Sequence, residues 1–225
     1  MRLVLATRNA HKAEEIRAIL SDRFSYLTLR DLPEAPEPVE DAATFEGNAV
    51  KKAATLARWL AQQPAFCREP AYVLADDSGL EVDALNGAPG VHSARFAALD
   101  GSGMQGRNSP DAANNEKLLR LLAGVPAERR TARFRCVVAL ISSEGANGMP
   151  VEQFAGNAKT YEGKCEGRIA FSPSGAGGFG YDPLFIPEGF DKSFAELGED
   201  VKNQISHRAR ALQKLRDHLT SNSKG

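Results

Sequence analysis

The sequence predicts an α/β protein built on a mixed β-sheet, and three observations predict it. Apolar runs short enough for strands alternate with amphipathic helical stripes through the first half of the chain. Two longer strand-like runs then follow one another across a Gly/Asn/Pro turn, which reads as a hairpin added to the sheet. At 225 residues and 42% hydrophobic content, the chain is long enough for one sizeable core, or for two lobes around one sheet.

The elements follow in order. Arg2 to Ala6 (RLVLA) is a short buried strand, and a helix begins at Ala10 with Ile16, Ile19 and Leu20 on one face. Tyr26 to Leu29 is a second strand, and a Pro/Glu-rich loop spans Asp31 to Asp41. Thr44 to Gln63 is a long helix whose stripe is Phe45, Ala49, Ala53, Leu56, Ala57 and Leu60. Ala71 to Ala75 is a strand that runs straight into Asp76-Asp77-Ser78-Gly79, which closes it either as a functional segment or as a turn whose Asp side chains bond backbone amides. A polar loop, Asp100 to Ser109, leads to a helix over Pro110 to Leu122, with Ser109 as N-cap and Pro110 near N1. Thr131 to Ser142 and Glu152 to Tyr161 are the consecutive strands, and Leu184 to Ile186 is a further buried one. Ser206 to Leu219 is a terminal helix, followed by a tail from Thr220 to Gly225. No repeat or linker splits the chain, so residues 1–225 read as one domain.

Composition excludes several classes. A net charge of -1 supplies no broad field for nucleic acid or anionic membrane. The apolar runs are too short to span a bilayer, and the N-terminal stretch lacks the apolar core of a signal peptide. Cys67, Cys136 and Cys165 are far apart and odd in number, which argues against a disulfide framework or a zinc site and for a cytoplasmic setting. Cys136, inside an apolar run, reads as core.

Six places carry residues where chemistry can occur. Thr7, Asn9 and Lys12 occupy the turn from the first strand into a helix N-terminus, where orphan N–H groups and a lysine suit phosphate; ordinary capping with a solvated Lys12 is the alternative. Of Asp76 and Asp77, neighbours on a strand and so on opposite faces, one is expected to meet a cleft, where it can hold Mg2+ or activate water. Glu40 and Asp41 are a second carboxylate source, or a solvated acidic loop. Asn48 and Lys52, four apart, share one edge of the long helix. Lys202, His207 and Arg208 can donate to phosphate or to carbonyl oxygens on a base. The loop Ser172 to Pro187 surrounds Phe179, Tyr181 and Asp182 with Gly175, Gly177, Gly178, Gly180 and, just beyond, Gly189. Glycines permit close backbone approach and an aromatic can stack on a flat ring, so this loop is a candidate base-binding wall. His11, His92 and His218 fit no metal spacing, and neither a P-loop nor a nucleophile elbow occurs.

The order of these signals resembles one family. T-x-N-x-x-K (Thr7, Asn9, Lys12) is followed by F-x-x-N-A-x-x-K-A (Phe45 to Ala53), then ADDSGLEVDALNGAPGVHSARF (Ala75 to Phe96), GGFGYDPLF (Gly177 to Phe185) and SHR (Ser206 to Arg208). From Leu3 to about Leu219 the chain resembles the inosine triphosphate pyrophosphatase-like enzymes, also called dITP/XTP pyrophosphatases. The resemblance implies an elongated mixed sheet flanked by helices, with two lobes around a central cleft, and a homodimer. It implies Mg2+-dependent hydrolysis of ITP, dITP and XTP to the monophosphate and pyrophosphate, which removes deaminated purines from the precursors of DNA and RNA. By motif, Thr7, Arg8, Asn9, Ala10, His11 and Lys12 grip the triphosphate with Lys52 nearby. Glu40 and Asp77 bind the metal, Asp77 accepts the proton of water, and Ser78 touches substrate. Phe179, Gly180, Tyr181 and Asp182 enclose the base, Lys202, His207 and Arg208 contact it or its neighbours, and Arg95 is a weaker candidate. The stretches Pro64 to Pro70 and Ala97 to Ser109 lie between motifs and look like additions. Two rival functions keep the same pocket: a pyrophosphatase for other modified nucleotides, and a binding or sensing module without turnover.

Overall fold

The structure is a computed structural model that describes residues 2–21, 24–67, 69–100 and 108–221. Its strands and helices, in chain order, are β1 (Arg2–Leu5), α1 (Ala10–Leu20), β2 (Ser25–Thr28), α2 (Phe45–Ala61), α3 (Pro64–Cys67), β3 (Tyr72–Val82), α4 (Asp111–Leu121), β4 (Thr131–Ser142), α5 (Val151–Ala155), β5 (Lys159–Ile169), β6 (Phe185–Pro187), α6 (Phe194–Ile205) and α7 (His207–Ser221). Short 3-10 turns cover Asp83–Leu85, Gly90–Arg95, Ala97–Asp100 and Ala127–Arg129. The strands form one six-stranded sheet in the order β2-β1-β3-β4-β5-β6. β1 pairs in parallel with β2 and β3, whereas β5 and β6 are antiparallel, so the sheet is mixed.

The chain clusters into two compact units: Met1–Asp77, Cys136–Gly163 and Arg208–Gly225 form the first, and Ser78–Arg135 and Lys164–His207 the second. In the first, Leu3 and Leu5 of β1, Leu74 of β3 and Cys136, Val138 and Leu140 of β4 alternate onto one face of the sheet. Ala13, Ile16 and Leu20 of α1 and Ala211, Leu212 and Leu215 of α7 cover that face. The second unit has its own core of Leu80, Val82, Phe134, Leu118, Tyr181, Leu184 and Phe185, among others. Phe134, Phe185 and Phe194 pack ring on ring there at 4.7 to 6.2 Å between centroids. Burial of this kind, at roughly 25 cal/mol per Å² of apolar surface, dominates the stability of each unit.

Four expectations need correction. Asp76-Asp77-Ser78-Gly79 does not end a strand: β3 continues through it to Val82. Glu152 to Tyr161 is not a strand; Pro150 precedes the short helix α5, and the strand starts at Lys159. Pro110, not Ser109, occupies the N-cap of α4, and the Ser109 hydroxyl accepts from the amide of Ala98 instead. The supposed tail overlaps α7, which continues to Ser221; residues 222–225, and 101–107 of the polar loop, lie outside the described residues. Among the described residues no helix is long and apolar enough to cross a membrane.

Candidate active site

Alternation along β3 divides its two aspartates. Asp76 shares the face of Leu74 and meets α1 and α7, while Asp77 points the other way, toward α2. Asp77 is buried and fully engaged. One carboxylate oxygen accepts from Lys52 Nζ at 2.9 Å and the other from Asn48 Nδ2 at 3.1 Å. Asn48 and Lys52 are one helical turn apart on α2, which Thr44 caps by accepting from the amide of Gly47. Asn48 Oδ1 accepts from the amide of Ala42, so its amide nitrogen is turned toward Asp77. Lys52 Nζ also donates to Glu40 Oε1 at 2.9 Å, bringing both predicted metal carboxylates to one ammonium.

The charges of this cluster act in opposite directions. Burial raises the Asp77 pKa above the ordinary carboxylate value, Glu40 adds to it, and Lys52 and Lys12 offset it only in part. Burial disfavours the Lys52 ammonium, but Asp77 and Glu40 outweigh that and hold it charged. Asp76 goes the other way. Burial opposes its anion, yet Lys12, Arg208 and Lys52 hold its pKa far below the usual range. Lys12 Nζ lies 3.2 Å from Asp76, and Arg208 donates to Asp76 at 2.8 Å and to Glu15.

Around the first turn, Thr7 Oγ1 accepts from the amide of Asn9, and Asn9 Oδ1 caps α1 by accepting from the amide of Lys12. Ala10 opens the helix. Arg8 donates to the Leu29 carbonyl at 3.3 Å, and exposed His11 lies 3.9 Å from Glu14. Capping and a basic side chain therefore coexist here, since Lys12 leaves the helix end for Asp76.

In the second unit a different kind of site forms. Asp182 Oδ2 accepts from the amide of Phe179 at 2.9 Å and from Lys202 Nζ at 2.5 Å. Lys202 Nζ is also 4.3 Å from the centroid of the Phe179 ring. Gly178 (φ +74°) is required, because a Cβ there would lie 2.3 Å from Asp182 Oδ2. Its glycine thus serves an internal contact. Buried Tyr181 donates to the Ser93 carbonyl at 2.9 Å. His207 is buried and stacked on Phe134 at 4.7 Å. Arg95 closes the 3-10 turn Gly90–Arg95, half-buried, and Ser78 lies within β3.

The structure therefore assembles Lys12, Glu40, Lys52 and Asp77 in the first unit, and Phe179, Asp182 and Lys202 in the second. It engages Arg208 with the buried pair Asp76 and Glu15. Asp76 and Asn48 stand among the candidate polar places, Asn48 through its four-residue spacing from Lys52, whereas Glu15 was not among the predicted site residues. Glu40 and Asp77 offer a donor set that fits Mg2+, which is commonly held by one or two carboxylates and completed by water and substrate phosphates.

Comparison with known proteins places the chain. Residues 3–218 match the model of the Ham1 family. A dITP/XTP pyrophosphatase of Opitutus terrae is 48% identical over 224 residues, covering 96% of this chain and 97% of that relative. One from Geobacter sulfurreducens is 48% identical over 219 residues, covering 97% and 96%. The structure of the Staphylococcus aureus Ham1 protein aligns with a TM-score of 0.75 at 35% identity, covering 99% of this chain and all of that one (100%). A HAM1 protein from Coxiella burnetii gives 0.76 at 35% identity, covering 98% and 99%.

Proposed function

The chain belongs to the Ham1 family, and from that premise we propose that it hydrolyses deaminated purine nucleoside triphosphates, ITP, dITP and XTP, to the monophosphate and pyrophosphate. The observation that carries the reading is the setting of Asp77: a buried carboxylate with a raised pKa, oriented by Asn48 and flanked by two lysines. Cleavage of a phosphoric anhydride needs charge neutralisation and an aligned water rather than a protein nucleophile. Asp77 takes the proton as water oxygen bonds to phosphorus and the bond to the pyrophosphate leaving group breaks. Lys12 and Lys52 offset phosphate charge, and Thr7 to Lys12 line the phosphate side. Asp76 remains ionised and keeps Lys12 in position.

Glu40 and Asp77 would hold Mg2+, which supplies further neutralisation of phosphate charge when bound. Base recognition, on the same resemblance, falls to Phe179 and Lys202: the Phe179 ring offers a stacking face, and Lys202 is a donor beside it that suits the carbonyl at the purine six-position. A homodimer in the cytoplasm belongs to the same reading and rests on the resemblance. The test is product analysis with XTP, dITP, ATP and GTP, each with Mg2+ and with EDTA. Pyrophosphate and monophosphate from XTP and dITP, suppressed by EDTA, are expected; orthophosphate instead, or no release, overturns the proposal.

A further inference from the structure

The geometry points to Asp111 and Asn115 of α4 as positioning residues that fix the base-recognition loop through the backbone of Gly180. This deepens the proposed pyrophosphohydrolase reading and rests on it. Asp111 and Asn115 are four apart and share one face of the helix. Asp111 Oδ2 accepts from the amide of Gly180 at 2.7 Å, and Asn115 Nδ2 donates to the Gly180 carbonyl at 3.0 Å. The N–H and C=O of one residue are thus held by a single rigid helix. That residue has φ +63° and sits between Phe179 and Tyr181. On one side, Asp182 fixes the amide of Phe179; on the other, the Tyr181 hydroxyl is tied to Ser93.

Two details argue that the bracket serves position rather than stability. The Asn115 side-chain oxygen is buried and has no hydrogen-bond partner among the described residues, a cost that a packed leucine would avoid. Its amide orientation is nonetheless fixed, because the Gly180 carbonyl can only accept. The bracket also means that Gly180 meets the substrate through its open α-carbon face, where no atom lies within 4 Å of a built Cβ, and not through its N–H. The plane of the Phe179 ring is then set relative to α4 by this peptide and to Lys202 by the cation contact.

The test compares D111A, N115L, the double variant and the conservative D111N with wild type in steady-state hydrolysis of XTP and GTP, alongside thermal unfolding. Loss of the bracket is expected to raise KM for XTP on the order of tenfold and to shrink the XTP-over-GTP ratio of kcat/KM, with a smaller fall in kcat. D111N keeps an oxygen that accepts from Gly180 and is expected to retain wild-type KM and selectivity. Asp111 is exposed, so D111A keeps the proposal testable if N115L fails to fold. Unchanged KM and selectivity in folded D111A overturn the proposal, as does a D111N that behaves like D111A. No pyrophosphate release by the wild-type protein overturns the catalytic reading and this inference with it; release with unaffected variants overturns this inference alone.

Discussion

Asp77 and Asp182 are both buried carboxylates paired with a buried lysine, and they do opposite things. Asp77 stands on a regular strand and spends its oxygens on two side chains of α2, Lys52 and Asn48. Asp182 stands at the end of a glycine-rich loop and spends one oxygen on the backbone of Phe179 as well as on Lys202. The first arrangement sets a carboxylate among opposed charges, with its pKa raised by burial. The second uses a carboxylate to give a loop its shape. In the proposed reading the difference teaches that proton transfer and recognition make separate demands: one needs a tuned group on a stiff element, the other a fixed contour.

The comparison breaks most sharply with Asp77→Asn. An amide preserves volume but cannot take a proton, so turnover is expected to fall on the order of a thousandfold or more; one of its two donors, Lys52 or Asn48, then faces an amide N–H, and a stability loss of about 1–3 kcal/mol is expected with the fold retained. Steady-state rates and a melting curve check both halves. Next come the partners left behind. Arg208→Ala removes the cation that donates to both Asp76 and Glu15, and Asp182→Ala removes the carboxylate that accepts from Lys202; each is expected to cost about 3–5 kcal/mol in denaturant unfolding. Only Asp182→Ala should also weaken base selectivity. Gly178→Ala is milder. It forces a side chain against Asp182 at a positive φ, and a loss of about 1–3 kcal/mol with reduced XTP preference is expected from unfolding and kinetics.

The smallest effect is a pH dependence. Because the Asp76 pKa is depressed on folding, its contribution is complete above the ordinary value of about 4 and is lost as pH falls toward the folded value. Asp76→Asn should therefore be less stable at neutral pH and lose less stability on acidification than wild type. Urea titrations of the metal-free protein at neutral and acid pH measure this.

Much of the first unit was legible in sequence because its signals are local. The stripe of α2 and the apolar run of β1 announce themselves by period alone. The segment Asp76 to Gly79 was not legible, because its composition is that of a turn; within the strand Asp76 is met by Lys12 and Arg208 and Asp77 by Lys52 and Asn48, all distant in sequence. β5 was hidden by Gly163 and Gly167, and a Cβ at Gly167 would meet the carbonyl of Ile186 at 2.3 Å on β6. α6 carries a start signal in its sequence, the reciprocal cap between Ser193 and Glu196, but Gly198 interrupts the helical pattern with φ +81°. In the candidate site, the motifs name Asn48, Lys52, Asp77 and Asp182, and the structure joins Asn48 and Lys52 to Asp77 and Lys202 to Asp182, while Glu15, Asp111 and Asn115 make contacts that only the fold creates.

The most direct test of this division of labour is equilibrium binding of XTP, GTP and ATP to Asp77→Asn by calorimetry in the presence of Mg2+. The account predicts that the inactive variant still binds XTP in preference to GTP and ATP, by about the ratio that wild type shows in kcat/KM. Equal affinity for all three would contradict it, because selectivity would then arise with the chemistry at Asp77 and not at the Phe179 to Lys202 site.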